Sequence, residues 1–202
     1  MARKVTISKD MILEAALKIL IRDGYSAVNV KTISNEIGCS TQPIVWHFEN
    51  MDGLRLALAE YAREYAVNRI IPSGENALQN FEDIGRHYVR MALNEPNLFK
   101  YLYLGESPVG RPYSLNRIAR DIKYEANKAM MSQLAALSGL SEEQTINFVR
   151  NTLVYSHGIA TMVATGVFKG TEEEMMDMIN EAADSFLFRL GINLNMPKER
   201  EK

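Results

Sequence analysis

A chain of 202 residues holds one or two domains and can bury a sizeable core. Its composition is that of an ordinary soluble globular protein, no apolar run reaches the length of a membrane span, and a single cysteine excludes an internal disulfide, so a reducing cytoplasm is the natural location. The formal net charge is −2, and residues 1–53 carry as many acidic as basic side chains, so nucleic-acid binding by this end must rest on a few well-placed donors and not on a globally basic surface.

The first residues, MARKVTISK, read as a short basic arm carrying Arg3 and Lys4, not as a targeting sequence. A helix is expected over 8–23, with Ser8 as N-cap, Gly24 as C-cap and Ile12, Ala15, Ala16, Ile19 and Leu20 on one stripe. Asn29 caps the next helix, in which Val30, Ile33 and Ile37 fall on one face, and Gly38 ends it. Ser40 then restarts the chain as an N-cap, and Thr41, Gln42 and Pro43 fill the first turn of a third helix, where proline is tolerated because the N–H it lacks has no intrahelical partner. Ile44 and Phe48, four residues apart, face inward, which turns Thr41, Gln42, Trp46 and His47 mostly outward. Helix, short glycine turn and helix is the geometry of a helix-turn-helix module, whose second helix offers its N-terminal residues to base edges. Gln can pair bidentately with adenine, and Ser or Thr can bond bases or phosphates. An ordinary helical hairpin in an all-α protein would show the same turn.

The stretch from Ile12 to Leu54 is similar to the DNA-binding domain of the TetR/AcrR family of bacterial transcriptional regulators, through Ile12-Leu13-Glu14-Ala15-Ala16, Gly24-Tyr25, Ile33, Gly38, Ser40, His47-Phe48 and Leu54. The resemblance implies an all-α fold of about nine helices. A helix-turn-helix DNA-binding domain would occupy residues 1–53, and a larger helical effector-binding and dimerisation domain residues 54–202. It also implies a homodimeric, ligand-responsive repressor on a palindromic double-stranded DNA operator. Its DNA-contacting residues would be Arg3, Lys4, Lys31, Thr32, Ser40, Thr41, Gln42, Pro43, Trp46 and His47. Two positions depart from the family pattern: Val45 stands where Tyr is usual and Met51 where Lys is usual, both typically phosphate contacts. Lys31 sits where the family often has a basic phosphate contact.

The rest of the chain also reads as helix. Asp52 is a candidate cap for a helix to about Ile71, ended by Pro72-Ser73-Gly74; a helix follows over about 76–93, then a short one over 97–104. Residues 105–112 form a loop and 114–137 a long helix. Ser141 to Gln144 and Thr171 to Glu174 are capping boxes opening helices to about Val167 and Leu190, and the charged tail PKEREK follows. Residues 148–168 are almost free of charge, so that helix needs cover on most sides, which a second subunit could complete through the last two long helices.

Tyr88, Met91, Phe99, Tyr103, Tyr124, Met131, Phe148, His157 and Met162 are candidates to line a cavity for a small apolar or aromatic effector; plain core packing is the alternative for each. Cys39 reads as a packed small hydrophobe, against a redox or metal role. No histidine pair has metal-ligand spacing, and no catalytic set or cofactor-binding loop is recognisable, so neither enzyme chemistry, metal nor cofactor is expected. A helical small-molecule-binding or protein-interaction module without DNA binding is the alternative function.

Overall fold

The computed structural model describes residues 7–69, 77–107 and 125–192. Among them are nine α-helices, one short 3-10 turn and no strand. Backbone proximity divides the described chain into two units. The first holds residues 7–69, 90–107 and 163–167, and the second 77–89, 125–162 and 168–192.

In the first unit, α1 runs Lys9–Asp23, and the Ser8 hydroxyl caps it by accepting from the Met11 N–H at 3.2 Å. The buried set is wider than the expected stripe, adding Leu13 and Leu17 to Ile12, Ala15, Ala16, Ile19 and Leu20. The reason is its central place: the helices over residues 30–37, 42–48, 51–68 and 96–103 all pack on it. After a 3-10 turn at Tyr25–Ala27, α2 runs Val30–Ile37. Asn29 Oδ1 accepts from the N–H groups of Lys31 and Thr32, both at 3.0 Å, and Thr32 Oγ1 returns to the Asn29 N–H. Gly38 enters the left-handed region at φ 76°, which lets the Cys39 N–H turn back to the Ser34 carbonyl at 2.9 Å.

The third helix, α3, spans Gln42–Phe48 and starts one residue later than expected: Thr41, not Ser40, precedes it, and no side chain caps it. The cap of α4 (Met51–Asn68) also differs from expectation. Asn50 Oδ1 accepts from the N–H groups of Asp52 and Gly53 at 2.9 and 3.0 Å, while Asp52 lies inside the first turn and pairs with Arg55. An acidic residue suits either place, because the first turn carries the positive end of the helix dipole. Gly53 is required by crowding: a Cβ there would sit 2.4 Å from the Phe48 carbonyl oxygen.

The short α6 (Pro96–Tyr103) buries Leu98, Phe99 and Tyr101. Asn97 Nδ2 donates to the Ile21 carbonyl at 3.1 Å, satisfying one of the acceptors that the end of α1 leaves without an intrahelical donor. Glu95, ahead of α6, accepts from Tyr65 Oη at 3.0 Å and from Arg69 Nη1 at 2.5 Å on α4.

The second unit contains α5 (Ala77–Asn94) up to Val89, α7 (Glu125–Ser138), α8 (Glu142–Ala164) up to Met162, and α9 (Glu172–Arg189). The part of the expected long helix before residue 125 lies outside the described residues. The core joins Ala77, Leu134, Leu140, Phe148, Val149 and Leu187, with Phe81 packed against them. Both expected capping boxes form: Gln144 N–H donates to Ser141 Oγ and Glu174 N–H to Thr171 Oγ1, each at 3.2 Å, and each acidic or amide side chain returns to the cap N–H. Both helices stop slightly short of the expected ends. Buried Thr152 and Ser156 on α8 donate back to the carbonyls of Phe148 and Thr152, so their hydroxyls are satisfied within the helix. Arg86 on α5 bridges Glu82 and Glu172.

Candidate nucleic-acid interface and effector residues

The apolar spacing of α3 decides which of its residues can meet a ligand. Ile44 and Phe48 are buried, anchoring the helix on the bundle. Thr41, Gln42, Val45 and Trp46 are thereby left exposed, with Trp46 exposed to 77%. Ser40 is exposed in the turn, and Pro43 is half-buried in the first turn of α3. Ser40, Thr41, Gln42 and Trp46 are thus exposed together on the turn and α3.

His47 is only half-buried, and its Nε2 lies 2.9 Å from the Ile7 carbonyl. A carbonyl only accepts, so that nitrogen carries the proton. The ring also meets Trp46 edge-on at 4.8 Å. His47 therefore ties α3 to the segment that leads into α1. On the neighbouring helix, Lys9 Nζ lies 5.4 Å above the Phe48 ring.

On α2, Lys31 is exposed at the first turn. The Thr32 hydroxyl is engaged locally: it accepts from the Asn29 N–H and lies 2.7 Å from the Ala27 carbonyl as a donor. Arg22 joins α1 to Glu36 of α2 at 3.2 Å. Arg3 and Lys4 lie outside the described residues. Cys39 is a free, half-buried thiol.

Sequence reading missed the outward face of Val45 as a surface in its own right; the i, i+4 anchors Ile44 and Phe48 already implied it.

The effector candidates fall in different places. Met91 and Phe99 are buried in the first unit, and the Tyr103 ring lies 5.1 Å from that of Phe99. In the second unit Phe148 belongs to the core, its ring 5.9 Å from Phe81, and half-buried Met131 packs against that core. Met162 is exposed, and Tyr124 lies outside the described residues. One pair comes together in a way that spacing did not foretell: Tyr88 Oη on α5 is 2.6 Å from His157 Nδ1 on α8. Burial lowers the pKa of His157. The neutral ring is favoured, and its Nδ1 can accept the Tyr88 hydroxyl proton.

Among the described residues no group of three or more His, Cys, Asp or Glu is arranged to hold a metal ion, and no helix is long and apolar enough to cross a membrane.

Residues 12–58 match the family described as bacterial regulatory proteins, tetR family. That span begins in α1, covers the whole of α2, turn and α3, and ends in α4. This segment is a match to the TetR-family DNA-binding domain. The match supports a DNA-binding transcription regulator, and the matched family is one of regulators. The uncharacterised HTH-type transcriptional regulator YobS of Bacillus subtilis (strain 168) is 20% identical to this chain over 199 residues, which are 96% of this chain and 97% of YobS.

Solved structures share the fold. A TetR-like transcriptional regulator from Rhodococcus sp. RHA1 superimposes with a TM-score of 0.59 at 12% identity, over 90% of this chain and 96% of its own. A TetR variant from Acinetobacter baumannii AYE, solved in complex with minocycline, gives a TM-score of 0.54 at 17% identity, over 92% and 97%.

Proposed function

We propose that this chain is a homodimeric, ligand-responsive repressor of the TetR family that reads a palindromic operator through α3. The observation that carries the reading is the outward set Ser40, Thr41, Gln42 and Trp46 on a helix held down by Ile44 and Phe48, with Lys31 exposed beside it. Gln42 and Thr41 supply base-edge contacts. Lys31 and the arm residues Arg3 and Lys4 supply phosphate contacts, while His47, Pro43 and Thr32 hold the geometry from which those contacts are made. Residues 1–53 serve DNA binding, and residues 54–202 serve effector binding and dimerisation. The site of action is the cytoplasm.

The dimer face is α8 with α9. Val154, Tyr155, Gly158 and Met162 are exposed at helical spacing on α8, and Phe188 is exposed near the end of α9. Burying such a stripe against its symmetry mate is the favourable course for a self-complementary interface.

The effector is a small apolar or aromatic molecule, and the Tyr88–His157 pair is its polar contact. Support by analogy comes from the Acinetobacter protein solved with minocycline. Effector binding shifts the population toward a dimer whose two α3 helices no longer match the half-site spacing.

Selection of binding sites from random duplex DNA tests the reading. The expected outcome is enrichment of a palindrome whose binding weakens in Gln42→Ala and with rising salt. Failure to enrich any palindrome, together with a monomeric mass in solution, would sink it.

A further inference from the structure

The outward face of α3 is unusual in what it lacks. No Lys or Arg occurs between Lys31 and Arg55, so neither the turn nor α3 carries a cationic side chain for a base edge. The exposed residues are Gln42, Val45 and Trp46 on α3, with Thr41 just before it and Glu49 just after it. Val45 is 50% and Trp46 77% exposed, against 1% for Ile44 and 6% for Phe48 on the same helix. His47 adds little to this surface, because its Nε2 is engaged by the Ile7 carbonyl.

Each base pair offers a distinct pattern in the major groove. Guanine presents two acceptors, N7 and O6, best met by Arg or Lys. Adenine presents an acceptor beside a donor, which a carboxamide matches with both of its groups. Thymine alone carries a methyl group, and only apolar surface gains from meeting it. A face with one carboxamide, two large apolar side chains and no cation is matched to A·T pairs and poorly matched to guanine. The single charge, Glu49, can only accept, so it has no partner on guanine or thymine, and only the cytosine and adenine amines can donate to it.

We propose that α3 reads a run of A·T pairs, with Gln42 on adenine and with Val45 and Trp46 packed on thymine methyl groups as the specificity-determining residues. The inference rests on α3 being the recognition helix, as argued above.

The test uses the full-length protein. Half-sites selected from random duplexes are remade with deoxyuridine in place of thymidine, which deletes only the methyl group. The selected core is expected to be A·T-rich. Affinity is expected to fall about fourfold for each contacted methyl, the worth of one buried methyl group. In a Val45→Ala, Trp46→Ala double variant that loss disappears, because the apolar partner is already gone. Both side chains are exposed, and an unchanged circular dichroism spectrum and melting temperature verify that the variant is folded. A selected core rich in G·C, or uracil-containing sites bound as tightly as thymine-containing ones, overturns this inference and leaves α3 as the recognition helix. If no sequence is enriched, both readings fall.

Discussion

Helices α1 and α8 have similarly apolar sequences and end in different surroundings. α1 is covered by α2, α3, α4 and α6, and every large aliphatic side chain from Ile12 to Leu20 is buried. α8 buries Phe148, Val149, Ile159 and Ala160 but leaves Val154, Tyr155 and Met162 exposed in the single chain. The same compositional signal, an apolar helix that needs cover, thus describes one helix that the chain covers itself and another whose remaining face we assign to a second subunit. The difference is one of supply. Four neighbours pack on α1, whereas α8 has an outward side lined by small or apolar residues, Gly158 among them.

Substitutions that separate the two cases come first. Ile12→Ala, at a site with no exposure, is expected to lower unfolding free energy by about 2–5 kcal/mol, the usual range for a large aliphatic cut to alanine in a packed core. Val154→Ala on exposed α8 is expected to change it by less than about 0.5 kcal/mol. Urea denaturation at low protein concentration, where a dimer adds little, measures both; equal losses would break the comparison.

Gly53→Ala sharpens the picture of the first unit. The added Cβ would press on backbone rather than on a movable side chain, so a loss of about 1–3 kcal/mol is expected, read from the same denaturation curves. Gly158 is the counterpart on α8, because a Cβ there meets nothing within 4 Å in the single chain. Gly158→Leu should leave monomer stability nearly unchanged yet weaken the dimer about tenfold or more, since overpacking an interface costs about 1–3 kcal/mol. Sedimentation over a dilution series decides this, and an unaltered association constant would remove α8 from the interface.

Smaller effects test the local assignments. Asn50→Ala is expected to cost about 1 kcal/mol as a lost N-cap. Asp52→Ala should cost less, because its ion pair with Arg55 is exposed on the surface. If the order is reversed in thermal melts, the cap belongs to Asp52 after all.

The last expectation concerns pH. Burial lowers the pKa of His157 from the ordinary 6.5. The unfolded chain therefore takes up its proton first as pH falls, and stability drops progressively below pH 6.5 until the folded-state pKa is passed. Above pH 6.5 both states are neutral at this residue and the contribution is constant. His157→Gln should flatten that part of the pH–stability curve; an unchanged slope would mean that another group causes it.

Much of this was readable from short-range pattern. The capping boxes at Ser141 and Thr171, the left-handed Gly38 and the inward pair Ile44 and Phe48 depend on groups within four residues of each other, and helical geometry brings such groups together wherever the helix ends up. Where two local solutions compete, pattern alone fails: Asn50 and Asp52 both suit the start of α4, and Ser40 and Thr41 both suit the start of α3. The Tyr88–His157 hydrogen bond joins residues 69 apart, and the His47–Ile7 contact joins residues 40 apart. No periodicity encodes either.

By itself, then, the amino-acid sequence determined the helices, most of their ends and the inward and outward sides of α3, because these follow from backbone capping and from apolar spacing along one element. The tertiary structure decided which apolar faces are covered, that Thr32 and His47 spend hydrogen bonds inside the domain, and that Tyr88 meets His157. Those outcomes depend on which elements pack together, and packing is settled by surfaces that lie far apart along the chain.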